Sequence, residues 1–398
     1  MTKLRVGILF GGRSGEHDVS LLSASSVLKA IDRQKYDVQL IGITRDGRWL
    51  TAGDAAHLLP STASPEPSSL CAGNPSATPG TALLEHGQEV LVPPVPSNVE
   101  HQQGSLATLR ARAESNLNVD VIFPVLHGTF GEDGTVQGLL ELADLAYIGS
   151  GVLGSAAGMD KDVMKRLFAA AHLPIPKHVT LLRKDWQKNP RQATQRIEVA
   201  LHYPMFVKPA NLGSSVGISK AHDRKELKTA IDLAAGFDRK IVIEQSIGGK
   251  RGKARELEVA VLGNDAPEAS VVGEVVPCKE FYDYEAKYLS EGSELIIPAK
   301  LTQAESKRVQ QMAIEAFRAC DCAGMARVDF LMEPGNPTAA RPRKIYLNEV
   351  NTLPGFTAIS MYPKLWQASG IPYTQLIDRL IALALERHQE KNVSHYTR

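Results

Sequence analysis

The sequence predicts an α/β protein of three lobes, the first of them built on a parallel sheet. Three observations carry the prediction. The chain opens strand, glycine loop, helix, strand; strand-sized apolar runs alternate with helical periodicities from there onward; and 398 residues, 43% hydrophobic, suffice for two or three domains. A net charge of +1 gives no reason to expect nucleic acid or an anionic membrane as partner. No apolar run is long enough to span a bilayer, and the first is too short for a signal-peptide core. A cytoplasmic protein is expected.

Taken in order, Val6-Gly7-Ile8-Leu9-Phe10 reads as a buried strand, and Leu21, Ala24, Leu28 and Ile31 follow at helical spacing. Residues 38–43 give a second strand and Asp46-Gly47 a turn. Eight of the 23 prolines then fall between Pro60 and Pro96, among Ser, Ala and Gly. Such a composition buries little apolar surface, so residues 52–116 read as a surface insert within a first domain of residues 1–150. The sheet resumes at 119–125. The second domain, 151–244, opens with a helix capped by Asp160, with Met164, Leu167, Phe168 and Ala171 on one face and Pro174 and Pro176 beyond its end. Strands follow at 204–208 and 241–244. The third domain, 245–398, carries strands at 256–262, 271–276, 324–332 and 345–351, and Thr302 with Glu305 makes a capping box for a long helix. No internal repeat is visible. Cys71, Cys278, Cys320 and Cys322 lack metal-ligand spacing and read as free thiols.

Four segments carry chemistry. Residues two apart in a strand share a face, which pairs Arg327 with Asp329 and Glu349 with Asn351. Burying an uncompensated polar group costs about 2–7 kcal/mol, so polar side chains between apolar neighbours point to pairing or to a metal. Asp, Glu and Asn are hard oxygen ligands of the kind Mg²⁺ takes while it holds phosphate, and a surface salt bridge of Arg327 with Asp329 or Glu349 is the plainer alternative. Next, Lys208-Pro209-Ala210-Asn211-Leu212-Gly213-Ser214-Ser215-Val216-Gly217 delivers a lysine from a strand into a Gly/Ser loop. Its backbone N–H groups suit phosphate, though it is no Walker A loop and an ordinary hairpin shares the pattern. The first loop, Gly11-Gly12-Arg13-Ser14-Gly15-Glu16-His17-Asp18, lacks dinucleotide spacing. Its Glu16 suits a substrate ammonium or the dipole of the following helix. Finally, His127-Gly128-Thr129-Phe130-Gly131-Glu132-Asp133-Gly134 follows a strand and reads as a substrate loop or a solvated one.

In this order the segments resemble the D-alanine–D-alanine ligase family of the ATP-grasp fold, over nearly the whole chain apart from the insert. Gly15-Glu16-His17-Asp18-Val19-Ser20 is similar to the family's first substrate loop, and residues 127–135 to its histidine-glycine signature. Gly158-Met159-Asp160-Lys161, the loop after Lys208, and Asn348-Glu349-Val350-Asn351-Thr352-Leu353-Pro354-Gly355-Phe356 match as well. The resemblance implies ATP-dependent joining of two D-alanines through a D-alanyl phosphate, for peptidoglycan synthesis. It implies ATP and two Mg²⁺ ions, with Mn²⁺ able to substitute, and a homodimer.

By the same resemblance Lys161 and Lys208 bind the ATP phosphates, Glu244 lies beside the adenine, Ile247 belongs to the ATP site and Glu256 reaches the ribose. Asp329, Glu349 and Asn351 hold the metal. Glu16, Ser214 and Tyr288 hold the first D-alanine, with His127 nearby, and Arg327 stabilises the oxyanion. Ser360 and the amide of Met361 take the carboxylate of the second, and Lys287 reaches the transferred phosphate from a lid at residues 279–294. Tyr288 stands where D-lactate-using relatives carry histidine, which favours an amine nucleophile. Glu256 and Glu258 share strand parity after a lengthened stretch at 248–254, so either can reach the ribose. Met361 replaces a more usual leucine. Ligases of D-lactate, D-serine or L-amino acids are the rival enzymes. A non-catalytic nucleotide-binding regulator predicts gaps among the lysines and metal ligands, and all are present.

Overall fold

A computed structural model describes residues 3–51, 88–89, 118–248, 252–277, 294–335 and 343–395. The first sheet is built from β1 (Leu4–Gly11), β2 (Tyr36–Ile43), β3 (Trp49–Thr51), β4 (Gln88–Glu89), β5 (Val121–Pro124) and β6 (Ala146–Tyr147), in the order β4-β3-β2-β1-β5-β6. Strand β1 pairs in parallel with β2 and β5, and β5 in parallel with β6. Side chains of β1 alternate between two cores. Val6, Ile8 and Phe10 pack with α1 (His17–Ala30), and Leu9 packs with Ile41, Ile122 and Leu140 of α2 (Thr135–Leu142). The expected parallel sheet is mixed, since β3 and β4 join antiparallel at one edge; its parallel strands, covered on both faces, read as unbroken apolar runs.

The second sheet, β7 (His178–Leu182), β8 (Met205–Pro209), β9 (Ser219–Ala221) and β10 (Lys240–Gln245), is antiparallel in the order β7-β10-β8-β9. Its core joins Val207 and Ile241 to Ile197 of α6 (Pro190–Ala200), which follows α5 (Arg183–Lys188), and to Ile231 of α7 (Arg224–Phe237). The third sheet, β11 (Arg255–Gly263), β12 (Glu268–Val276), β13 (Glu294–Ile296), β14 (Gly324–Met332) and β15 (Ile345–Asn351), is antiparallel in the order β13-β12-β11-β14-β15. Val309, Ala316 and Phe317 of α8 (Gln303–Ala319) bury the outer face of β14 at Val328 and Phe330.

Helices α9 (Met361–Ala368) and α10 (Tyr373–Asn392) return the chain to the first sheet. Phe356, Tyr362, Leu376 and Leu380 share one core with Val6, Phe10 and Phe123, so the first and third lobes are packed as one body. Between the lobes run α3 (Val152–Met159) and α4 (Lys161–Ala170), and Met164 and Phe168 of α4 belong to the core of the third sheet.

The expected strands are present: β1, β2, β10, β11 and β12 run two or three residues longer than expected, because backbone pairing continues past the last buried side chain. Strands β14 and β15 keep the expected bounds, β8 is shifted by one residue and β5 is shorter, Val121–Pro124 against 119–125. The capping box is formed: Thr302 Oγ1 accepts from the Glu305 amide at 3.3 Å and Glu305 accepts from the Thr302 amide at 3.0 Å. Asp160 caps α4 through the amides of Asp162 and Val163. The buried face of α4 departs from expectation. Ala171 is exposed and Lys165 is wholly buried, because a pair of acceptors waits for its ammonium. Cys320 and Cys322 are buried and unbridged, and burial pushes the Cys322 thiol up to about 12. The insert lies outside the described residues except for β4, as do Cys71 and Cys278.

Candidate active site

A cavity of about 350 Å³ opens between the second and third sheets. One wall is cationic. Lys208, on β8, reaches Glu244 Oε2 of neighbouring β10 at 2.9 Å, and Lys165, from α4, reaches Glu244 Oε1 at 3.0 Å. Burial opposes the charge of Glu244, but Lys165 and Lys208 outweigh it and hold the carboxyl down at about 2. For Lys208, burial works against the ammonium while Glu244 and Glu349 raise its pKa. For Lys165, burial wins and the pKa falls. With Glu244 held between them, Lys165 and Lys208 make up this side of the cavity. Lys161 begins α4, is buried, donates to Leu212 O at 2.7 Å and lies 3.9 Å from Glu349.

The facing wall is acidic. The register aligns Glu258 of β11 with Asp329 of β14, and Asp329 with Glu349 of β15, so three carboxylates run in a row across adjacent strands. Like charges directly opposite repel and require a cation among them. Arg327 supplies one, donating to both Asp329 oxygens at 2.7 Å and meeting Glu258 at 3.1 Å. Asn351, opposite Arg327, donates to Asp329 at 3.0 Å.

The pairing of β14 with β15 slips between Asp329 and Phe330, which leaves Asn348 as the extra residue of a β-bulge. That bulge turns Asn348 toward the cationic wall: its Oδ1 accepts from Lys208 and its carbonyl from Lys165, both at 3.3 Å. Among the described residues no three of His, Cys, Asp and Glu converge closely enough to cage an ion alone. The donor set nevertheless fits Mg²⁺, which takes one or two carboxylates and completes its shell with phosphate oxygens and water.

A second cavity of about 60 Å³ shares Ser215, Ile218 and Glu349 with the first and extends toward the first lobe. Leu212–Ser215 form one side of it, with Ser214 and Ser215 both in the left-handed region (φ 45° and 60°). The Ser214 hydroxyl donates to Glu16 Oε1. Glycine is required around that carboxylate: a Cβ on Gly213 would stand 2.7 Å from Glu16 Oε2, and one on Gly128 at 2.5 Å. Glu132 lines the same cavity, accepts from the Gly128 amide at 2.7 Å, and is pushed up to about 8 by burial and by Glu16.

His127 is buried between Leu353 O, 3.2 Å from Nδ1, and Ser23 Oγ, 3.0 Å from Nε2; burial lowers its pKa to about 4. Ser360 stands at the N-cap of α9, where its Oγ accepts from the Thr357 amide at 3.0 Å and Met361 is buried.

Two family models cover the chain, one described as D-ala D-ala ligase N-terminus at residues 5–150 and one as D-ala D-ala ligase C-terminus at residues 167–382. The chain belongs to the D-alanine–D-alanine ligase family. It is 47% identical to the D-alanine–D-alanine ligase of Chloroherpeton thalassium and 49% identical to that of Geobacillus thermodenitrificans, over 99% of each chain. Among solved structures, the D-alanine–D-alanine ligase from Coxiella burnetii superposes with a TM-score of 0.75 at 35% identity, covering 98% of this chain and 97% of that one. The VanG D-Ala:D-Ser ligase from Enterococcus faecalis gives 0.76 at 34% identity, covering 96% and 100%.

Read as a family member, the chain brings Lys208, Glu244, Ile247, Glu256, Asp329 and Glu349 around the larger cavity. Lys161, Ser214, Glu349 and Asn351 meet at the smaller one. Tyr288 and Lys287 lie outside the described residues, and His127 lines neither cavity. Three site residues went unnoticed in the sequence reading: Lys165, Asn348 and Glu132. Lys165 was visible as a lysine one helical turn after Lys161 on an apolar face, and Glu132 as an acid inside the histidine-glycine signature. The role of Asn348 depends on a bulge, which leaves no mark in the apolar pattern.

Proposed function

We propose that the larger cavity holds ATP and the smaller one the reacting carboxylate of a first D-alanine, and that the chain makes D-alanyl-D-alanine through a D-alanyl phosphate for peptidoglycan precursor synthesis. The observation that carries this reading is the pair of opposed walls. Lys208 and Lys161 face the row of Glu258, Asp329 and Glu349 across one continuous cleft. Phosphoryl transfer uses lysines opposite carboxylates that can hold a metal in this way. When bound, two Mg²⁺ ions, or Mn²⁺ in their place, would offset charge on the phosphates, held by Asp329, Glu349 and Asn351.

Lys161 and Lys208 orient the phosphates, and Glu244 and Ile247 meet the base. Glu258 is buried while Glu256 is half-buried and lines the larger cavity, which supports Glu256 as the partner of the ribose. Glu16 takes the ammonium of the first D-alanine beside Ser214. After the second amine attacks, Arg327 stabilises the tetrahedral oxyanion. The carboxylate of the second D-alanine sits at Ser360 and the Met361 amide, at the N-terminus of the eight-residue helix α9, where a negative charge is favoured. Tyr288 and Lys287, expected beside the first D-alanine and the transferred phosphate, lie outside the described residues. Among the described residues no helix is long and apolar enough to cross a membrane, and a cytoplasmic homodimer completes the reading. The lobes divide near residues 150 and 245.

Phosphate release from ATP and Mg²⁺ tests it, with D-alanine, L-alanine, D-serine, or D-alanine plus D-lactate, and with products identified by mass. Release with D-alanine alone, giving D-alanyl-D-alanine, is expected. Release only with a mixed pair would move the second-substrate assignment, and release with none would refute the ligase reading.

A further inference from the structure

Two side chains of the first lobe grip the backbone of the loop that leads to Ser360. His127 Nδ1 lies 3.2 Å from Leu353 O. A carbonyl only accepts, so the ring proton sits on Nδ1 and leaves Nε2 bare. Ser23 Oγ, 3.0 Å away on α1, then donates to Nε2, and its lone pair accepts from the Phe356 amide at 3.4 Å. The carbonyl of Leu353 and the amide of Phe356 are thereby held from the opposite lobe.

Ser23 is fully buried and His127 nearly so, and His127 lines neither of the cavities described above. Beyond the grip the chain is short and tightly folded. Gly355 lets its backbone approach Ser360, Thr357 Oγ1 and Ser360 Oγ lie 2.8 Å apart, and the Ser360 amide donates to Thr357 O at 3.1 Å. The Phe356 ring meets Phe123 of β5 edge-on at 5.3 Å, a further contact of this loop with the first lobe.

We propose that Ser23 and His127 are positioning residues for the second-substrate loop at residues 353–360, carrying a fixed relay from α1 to the N-terminus of α9. The inference rests on the reading above that this loop holds the second D-alanine. It gives His127 a role through the backbone of Leu353 in place of direct contact with the first substrate. It also makes the second amino-acid site dependent on the lobe that holds the first, since Glu16 and Ser23 lie on one stretch of chain.

The test separates the two half-reactions of the full-length protein. With one D-alanine and ATP, hydroxylamine captures the acyl phosphate as a hydroxamate by displacing phosphate from the carbonyl carbon, and so reports the first half. Dipeptide formation reports both halves. Ser23→Ala and His127→Leu are expected to raise the KM for the second D-alanine about tenfold, the loss of a hydrogen bond or two. Hydroxamate formation by Ser23→Ala should stay within about twofold of the parent, with its thermal midpoint as the check on folding. His127→Gln, whose amide can donate to Leu353 O and accept from Ser23, should restore the KM.

Parallel loss of hydroxamate and dipeptide in Ser23→Ala, or no change in either, overturns the proposal while leaving the ligase reading intact. Wild-type protein that makes neither product refutes the ligase reading itself, before any variant is compared.

Discussion

At the scale of single residues, the cationic wall is a chain of dependencies. Lys165 lines neither of the two cavities described, yet it shares Glu244 with Lys208 at 3.0 and 2.9 Å. Removing one partner of a buried ion pair leaves an uncompensated charge and costs about 3–5 kcal/mol. Lys165→Met is therefore expected to lower unfolding free energy by an amount of that order, read from a urea titration. It should also weaken ATP binding, because Glu244 would then hold Lys208 alone. An unchanged ATP affinity in a destabilised variant would show that Lys208 does not depend on the pair. Sequence alone could not reveal this arrangement. A lysine on the apolar side of a helix reads as exposed until the carboxylate that receives it is brought over from a strand about eighty residues away.

Among elements, α4 is the one whose start matters most, since Lys161 is its first residue. Asp160 accepts from the amides of Asp162 at 3.0 Å and Val163 at 3.1 Å and also binds Lys240 Nζ at 2.7 Å. Losing an N-cap costs ~1 kcal/mol and leaving a buried lysine with one fewer partner adds to it. Asp160→Ala should thus be destabilised by about 2 kcal/mol and should raise the KM for ATP by misdirecting Lys161; thermal unfolding and nucleotide titration check the two effects separately. This cap was legible, as were the shared faces of Arg327 with Asp329 and Glu349 with Asn351, because each depends on residues close in sequence. Strand order was not legible. The row of Glu258, Asp329 and Glu349 exists only because β11, β14 and β15 are neighbours in that register, and the bulge at Asn348 depends on a one-residue slip between β14 and β15. Apolar alternation reports which face a residue is on and says nothing of which strand lies beside it.

For the whole molecule, buried titrating groups set how stability responds to pH. His127, held at about 4 against 6.5, binds its proton more readily unfolded, so its contribution is full above pH 6.5 and is lost as pH falls through 4. The loss is ~3 kcal/mol for a shift of this size. Glu244, at about 2 against 4.5, acts in the same sense at lower pH. Glu132, pushed up to about 8 from 4.5, acts oppositely, lowering stability as pH rises between those values. Comparing wild type with His127→Gln cancels the other two. The difference in unfolding free energy should change by ~3 kcal/mol between pH 7 and pH 4, and a difference that does not vary with pH would mean the imidazole is not held neutral.

The pairs already formed at the site also bear on calorimetry. The Ser214 hydroxyl is bonded to Glu16, and the Arg327 guanidinium grips both oxygens of Asp329. On the proposed reading, an incoming ammonium takes the place of that hydroxyl and a divalent ion the place of that guanidinium. Each arrival is an exchange of partners, and the heat released is the small difference between two comparable bonds. Ligand uptake then draws on the release of water and counter-ions for its drive, and the enthalpy stays shallow even where the chemistry that follows is steeply downhill.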